Sequence, residues 1–409
     1  MSKDEIEISL TTPVYGGESM GRLADGRAVF VPFALPGETV RVRLVEEKRG
    51  FARAALLEVL QAVPQRVTAR CAHFGVCGGC HYQLLPYPEQ LKLKQTVLRD
   101  QLMRIGKIES PPVSGIVAAP EQWNYRNHVQ FHLSAEGRLG YVSAANPQAV
   151  LPVRECHLPE ESINALWPQL EFEAHVPIQR VSLRAGDGEL MLIFESEAAE
   201  MPELQIEAGI SVVHLSENDS VVLAGDDAIG IEVLGRRFQV SAGSFFQVNT
   251  AMAAKMVQHL LDKLRVSPDT TLLDVYCGAG LFSAFFAPKV KRLIGVEISP
   301  CACEDFATNL DEFDNVELYE AAAEDALPSL DIHPEVIIVD PPRAGLDKKA
   351  LDALLALKFE KLAYVSCDPS TLGRDAARLI SAGYKLTDVT AFDLFPQTYH
   401  IESINIFER

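Results

Sequence analysis

The stretch Thr271-Leu-Leu-Asp-Val-Tyr-Cys-Gly-Ala-Gly-Leu-Phe282 decides the fold of this chain. Thr271–Val275 is an apolar run of strand length, and Leu281–Ala287 has the composition of a helix. Between them, Gly278 and Gly280 form a turn that lets the backbone come close to a ligand at the carboxyl end of a first parallel strand. A second apolar run, Arg292–Val296, ends at Glu297, seventeen residues past Gly280 and placed to accept hydrogen bonds from two ribose hydroxyls. Strand, glycine turn, helix, strand and terminal acid together point to an adenosine-type cofactor. A pyrophosphate would call for a third glycine where this chain has Ser283. That favours S-adenosylmethionine, with a nicotinamide dinucleotide as the alternative.

Working outward, helix and strand alternate to the end of the chain. Further strands are expected at Val316–Tyr319, Val336–Val339 and Leu362–Val365, and helices at Ala251–Leu264 and Leu346–Leu357. This alternation predicts a doubly wound, Rossmann-like parallel sheet over residues 241–409. Residues 63–240 read as an α+β unit. It has a helix over Gln83–Lys107 and a largely antiparallel sheet from Val129–Leu133, Leu139–Val142, Val181–Arg184, Leu190–Glu195, Val212–Leu215 and Ile231–Val233. Residues 1–62 are short, glycine-punctuated strands in which Val40, Val42 and Leu44 alternate with Arg41 and Arg43, the pattern of a small OB-like β-barrel. The expected architecture is multidomain, and strand faces of such a barrel suit oligonucleotides.

The 409 residues are 48% hydrophobic and 23% charged, enough to build packed cores. The net charge of −19 argues against an indiscriminate nucleic-acid coat protein. Residues 61–130 nevertheless carry a net +4, a local zone that could hold phosphates. No apolar run has the roughly 18 residues of a membrane span. Met1–Leu10 lacks a signal-peptide layout, so the expected location is the cytoplasm, without membrane attachment.

Three strand ends carry candidate chemistry. Val336–Val339 runs into Asp340-Pro-Pro-Arg343, where two prolines stiffen the bend behind a carboxylate. Tyr364-Val-Ser-Cys367-Asp-Pro puts a cysteine just before a helix that starts near Pro369, and the helix field is expected to lower the thiol pKa. His400-Ile-Glu402 opens the last strand, Ser403–Phe407, with a carboxylate in an apolar setting suited to a base.

These phrases, with Ser244-Phe-Phe-Gln247-Val-Asn249, resemble the RNA uracil-5-methyltransferase family over essentially the whole chain. Residues 6–60 resemble the TRAM barrel of its ribosomal-RNA branch. The resemblance implies that Cys367 is the nucleophile and Glu402 the base. Methylation of C5 of a uridine would then proceed through a Cys–C6 adduct, because C5 is too poor a nucleophile unaided. It also implies that Gln247 and Asp340 lie near the base and the methyl donor. S-adenosylmethionine would be held by Tyr276, Gly278, Gly280 and Glu297, with Leu281 and Asp325 as further candidates. Phe245 is available to stack on an unpaired base, and the target base must be single-stranded or flipped out. The family usually has asparagine after the nucleophile, where this chain has Asp368.

Cys71-x5-Cys77-Gly-Gly-Cys80, with Cys156 as the fourth thiol, has the spacing of a metal site. From chemistry alone zinc and an iron–sulfur cluster both suit four thiolates. The resemblance implies a [4Fe-4S] cluster with a structural role. The expected partner is an RNA, 23S ribosomal or else transfer RNA methylated at its T-loop uridine, and the expected state a monomer. An exocyclic-amine methyltransferase also uses Asp-Pro-Pro but has no need of Cys367 and Glu402. A catalytically idle RNA-binding scaffold would not need the intact cofactor turn.

Overall fold

The computed structural model describes residues 5–409 except 147, 175, 198–208 and 217–219. Period-two alternation closes the first strands into a barrel: β1 (Glu5–Pro13), β2 (Glu18–Arg22), β3 (Ala28–Pro32), β4 (Thr39–Glu47) and β5 (Phe51–Gln61), in the order β1-β2-β3-β5-β4. Ile8, Leu10, Val29, Val31, Val40 and Val42 fill its interior. Outside, Arg27, Arg41 and Arg53 pair with Glu47, Glu58 and Glu18. These arginines of the barrel's outer face are thus matched by acids of the barrel itself.

Helix α1 (Tyr87–Arg104) is shorter than the Gln83–Lys107 expected from spacing. Pro86 holds an extended ψ of 146° and delays its start, and Lys107 in a left-handed conformation lies beyond its end. The basic zone is also less available than its sequence suggests. Lys94 is fully buried against Asp393 at 2.6 Å, Arg66 pairs with the buried Glu38, and Lys92 and Arg104 pair along α1 with Glu89 and Asp100.

After β6 (Val113–Val117) come β7 (His128–Leu133), β8 (Leu139–Val142), β9 (Val150–Pro152), α2 (Glu161–Leu166), β10 (Arg180–Ala185), β11 (Leu190–Glu195), β12 (Ser211–Leu215) and β13 (Ser220–Ala224). Among the described residues these strands, β6 excepted, form a seven-stranded sheet, β13-β12-β11-β10-β7-β8-β9, antiparallel except at β11–β12. The strand expected at Ile231–Val233 lies elsewhere. The tight turn at Leu234-Gly235 pairs β14 (Ala228–Val233) with β15 (Arg236–Ser241) in a separate hairpin, whose Ile229, Ile231 and Phe238 pack into the C-terminal core.

The remaining elements are α3 (Thr250–Leu264), β16 (Thr271–Val275), α4 (Leu281–Phe286), β17 (Arg292–Glu297), α5 (Pro300–Asn309), β18 (Val316–Glu320), α6 (Ala323–Ala326), β19 (Val336–Val339), α7 (Lys348–Ala356), β20 (Lys361–Ser366), α8 (Pro369–Ser381), β21 (Lys385–Phe392) and β22 (Glu402–Glu408). Among the described residues they build an eight-stranded sheet ordered β18-β17-β16-β19-β20-β22-β21-β6. The expected parallel sheet is modified at one end. The connection 393–401 is too short for a crossover helix, so β22 inserts antiparallel between β20 and β21. Strand β6 then pairs parallel to β21, so the stretch read as a central unit supplies an edge of the C-terminal sheet. Among the described residues no helix is long and apolar enough to cross a membrane.

Candidate active site

Sheet register gathers the candidate residues at one edge. Ser366 of β20 pairs with Ser403 of β22, so Cys367, one step past β20, stands opposite Glu402 at the start of β22. On the other side of β20, β19 ends in Asp340, whose backbone N–H donates to Val275 at the end of β16 at 3.2 Å. Tyr276 follows there with φ 64°, a left-handed conformation that a non-glycine residue adopts only under local constraint. This edge is the carboxyl end of the parallel strands, where open α/β sheets bind ligands.

Beside it lies a cleft of about 830 Å³ lined by Tyr276, Glu297, Ile298, Ala322, Glu324 and Asp347, among others. Gly280 has φ 87°, and a Cβ there would lie 2.4 Å from Leu310 Cδ1, so the turn needs glycine for both conformation and space. Glu297 is held by three backbone donors: Ile298 and Ser299 at 2.8 Å to Oε1, and Gly278 at 3.0 Å to Oε2. Oε2 keeps a lone pair for a ligand hydroxyl. Of the two further candidates, Leu281 is buried at the start of α4, whereas Asp325 is exposed and its neighbour Glu324 faces the cleft. Gln247 is buried near the same core, with its carbonyl accepting from Asn127 at 3.1 Å, while Phe245 is 68% exposed.

The electrostatics of the nucleophile position reverse the sequence expectation. Burial first, then the carboxylates of Glu402 and Asp340, push the Cys367 thiol up to about 12. The helix field does not prevail against burial and these two carboxylates; Asp368 meanwhile caps α8, its Oδ1 accepting from Ser370 and Thr371 at 2.8 and 3.1 Å. Asparagine could make the same cap. Aspartate adds a negative charge beside the sulfur, which also raises the thiol pKa. Arg343 is the opposing cation; its guanidinium stands 3.5 Å from the His400 ring nitrogens and favours the ionised forms of Cys367 and Glu402.

Glu402 is buried, and burial followed by the charge of Asp340 pushes its carboxyl up to about 8, opposed by Arg343 and Lys94. Burial takes Asp340 up to about 7, and likewise Asp274, whose Oδ2 accepts from Ser283 Oγ at 2.6 Å. These carboxyls hold protons in the folded chain that the unfolded chain has already lost. Their contribution to stability is therefore fully present below the ordinary value of 4.5 and is lost as pH rises through about 8. Thermal melting against pH should show this decline, with Glu402→Gln flattening its upper part. An equally steep decline in the variant would show that Glu402 does not hold such a proton.

The four expected metal-ligating cysteines also converge. Cys71, Cys77, Cys80 and Cys156 line one cavity of about 290 Å³. The Gly79 backbone N–H donates to Cys77 Sγ at 3.4 Å. Burial pushes Cys80 up to about 12 and raises Cys77 and Cys156 as well, so as thiolates they need a compensating cation. Among the described residues no three His, Cys, Asp or Glu side chains meet closely enough to hold a single metal ion. The thiols surround a space instead of meeting at a point.

Four residues at this edge carry no signal in the sequence. Lys94 reaches from α1 to Asp393 Oδ1 at 2.6 Å and the Phe395 carbonyl at 2.9 Å, fastening the loop that leads to Glu402. Gln90 and Gln397 exchange hydrogen bonds across the same junction. Tyr15, from the barrel, donates to the Cys367 carbonyl at 3.3 Å. Their partners lie some three hundred residues away, beyond any local pattern.

Comparison with known proteins agrees with this geometry. The tRNA (Uracil-5-)-methyltransferase family matches residues 192–409, and the TRAM domain matches residues 2–57. An RNA methyltransferase of Thermosynechococcus vestitus is 35% identical, covering 98% of this chain and 97% of the relative. Another from Aquifex aeolicus is 34% identical, covering 100% and 99%. The crystal structure of Pyrococcus abyssi tRNA (uracil-54, C5)-methyltransferase in complex with S-adenosyl-L-homocysteine shares the fold, with a TM-score of 0.76 over 98% of this chain and 100% of that one, at 22% identity. A sheet edge of this kind and these matches define a methyltransferase acting on RNA. The chain belongs to the RNA (uracil-5-)-methyltransferase family.

Proposed function

We propose that this enzyme transfers the methyl group of S-adenosylmethionine to C5 of a specific uridine in RNA through a covalent adduct on Cys367. The observation that carries the reading is the Cys367–Glu402 pair, set face to face by the β20–β22 register beside a nucleoside-sized cleft. S-adenosylmethionine, when bound, supplies an electrophilic methyl on a positively charged sulfur. That charge suits an edge where Asp340, Glu402 and Cys367 crowd together. Tyr276, Gly278, Gly280 and Glu297 would bind its adenosine half, Leu281 would back the turn, and Asp340 and Gln247 would stand towards the methyl and the base. Asp325 is placed at the rim by the same reading.

Cys367 gives up its thiol proton to solvent, Sγ forms a bond to C6 of the uracil, and the C5–C6 electron pair becomes an enolate. C5 takes the methyl group, leaving a neutral thioether on the donor. Glu402, as carboxylate, then removes the C5 proton. The returning electron pair re-forms the C5–C6 double bond and expels Cys367. Arg343 favours the thiolate that starts the sequence.

The cysteine cavity fits a [4Fe-4S] cluster held by Cys71, Cys77, Cys80 and Cys156, which would supply structural cross-linking and take no part in methyl transfer. The 71–80 turn adjoins the catalytic loop, since the His81 and Tyr82 N–H groups donate to the Gln397 carbonyl at 2.8 and 2.9 Å. Anaerobically purified protein is expected to carry about four iron and four sulfide per chain. Cys80→Ser should lower both that content and the melting temperature, and a metal-free, unchanged melting curve would sink the assignment.

The test of the function is nucleoside mass spectrometry after incubation with S-adenosylmethionine and unmodified total RNA. 5-Methyluridine is the expected product, and its absence from protein with bound donor would overturn the reading. We assign 23S ribosomal RNA as the target on the likeness of the barrel to that branch. The name of the matching family and the transfer-RNA enzyme of the same fold favour a transfer-RNA T-loop uridine as the second reading. Separating ribosomal from transfer RNA before digestion distinguishes the two.

A further inference from the structure

The barrel does more than append a surface to this enzyme. Its β1–β2 loop, Val14–Gly17, enters the catalytic edge and places Tyr15 against the residue proposed as nucleophile, with the phenol donating to the Cys367 carbonyl at 3.3 Å. The Tyr15 ring meets Tyr399 edge-on, at 5.5 Å between centroids and 87° between planes. Tyr399 in turn packs on His81 at 4.6 Å and on His400 at 4.3 Å. The loop is pressed home with little clearance. Gly17 has φ 84°, and a Cβ there would lie 2.8 Å from the His81 ring, so a side chain would wedge the loop off the site.

Three separate parts of the chain therefore meet at the strand-to-helix corner that carries Cys367: the barrel loop, the segment after Cys80, and the loop before Glu402. At that corner the side-chain contacts of Ser366 and Asp368 are local: Ser366 Oγ meets the Asp368 backbone, and Asp368 caps the first turn of α8. Tyr15 arrives there from the barrel, and Gln101 of α1 reaches Ser370 one step further on.

We infer that Tyr15 is a positioning residue for the nucleophile: its hydroxyl fixes the Cys367 carbonyl, and its ring, edge-on to Tyr399, ties that corner to the loop before Glu402. The inference rests on Cys367 being the nucleophile. Burial and the neighbouring acid Asp368 raise the phenol pKa well above its ordinary value, so the hydroxyl remains a donor across the working pH range. Loosening the corner should slow bond formation at C6 without disturbing the cleft around Tyr276 and Glu297, where Tyr15 has no part.

The test uses full-length protein with its metal content measured, S-adenosylmethionine, and undermethylated total RNA as probe. Tyr15→Phe keeps the ring and removes the donor. It should lower kcat about five- to tenfold, the worth of one hydrogen bond, at unchanged KM for S-adenosylmethionine and unchanged melting temperature. Tyr15→Ala should lower kcat further and raise the KM for RNA. In a Glu402→Gln background, Tyr15→Phe should slow covalent RNA capture by the same factor, a step that a merely structural residue would not single out. Wild-type kcat and capture rate in Tyr15→Phe would overturn the inference. So would a fall in kcat accompanied by an equal loss of S-adenosylmethionine affinity or of melting temperature. Methyl transfer that persists in Cys367→Ala would instead strike the underlying reading, and is scored separately from the Tyr15 variants.

Discussion

Cys367→Ala protein should bind S-adenosylmethionine as tightly as the wild type and transfer no methyl group, a loss on the order of 10⁴-fold or more. The two halves of this result follow from separate places in the fold. The cleft is built from the ends of β16 and β17, the segments after β18 and β19, and Arg374, Asp375 and Arg378 of α8, and Cys367 is not among its lining residues. The sulfur sits instead past β20, where only the β20–β22 register gives it a base. Calorimetry with the methyl donor and a tritium-release or methyl-incorporation assay check the two halves. An alanine variant that still methylates RNA would remove Cys367 from the mechanism. Because the thiol is held near 12 in the free protein, the wild-type rate should also depend on substrates being bound before the thiolate forms.

Glu402→Gln should convert the enzyme into a trap. Addition of Cys367 and methyl transfer need no proton acceptor at C5, but expulsion of the thiol cannot begin until the C5 proton has left. The variant is therefore expected to accumulate a covalent RNA–protein species that survives denaturing electrophoresis, with turnover reduced on the order of 10²- to 10⁴-fold, the usual contribution of a general base. The adduct should disappear in the Cys367→Ala/Glu402→Gln double variant. A Glu402→Gln enzyme that turns over normally and leaves no retained RNA would assign the base elsewhere, and Asp340 would be the next carboxylate to replace.

Much of this arrangement is legible in the sequence. Runs such as Leu272–Val275 and Val336–Val339 are buried on both faces, so their apolar composition marks them as central strands, and the residues that end them fall at the ligand edge without further information. The barrel was equally readable from the alternation along β4. The C-terminal edge of the sheet was not. Strands β21 and β6 find each other across more than 250 residues, and neither periodicity nor turn chemistry reports such a partner. The raised thiol pKa of Cys367 is hidden from the sequence for a related reason. A helix N-terminus can be seen in the sequence, but the carboxylates of Glu402 and Asp340 reach the sulfur only through pairing of β20 with its neighbours. Asp368 shows the limit within a single turn: its identity was plain, but its effect depended on knowing that it caps α8.

The placement of β6 at the edge of the catalytic sheet bears on how the protein can be divided. A chain beginning at residue 241 would retain the cofactor turn, Cys367 and Glu402, yet it would lack the strand that covers β21. It would also lack Lys94, leaving Asp393 as a buried charge without its counter-ion. An uncovered strand is a template for pairing with other chains, so such a fragment is a candidate for aggregation even with every catalytic residue in place. Apparent modularity in the sequence is therefore not modularity in folding. The ribosome must deliver Val113–Val117 long before Lys385–Phe392, so the strand that borders the sheet waits for its partner until the chain is nearly complete.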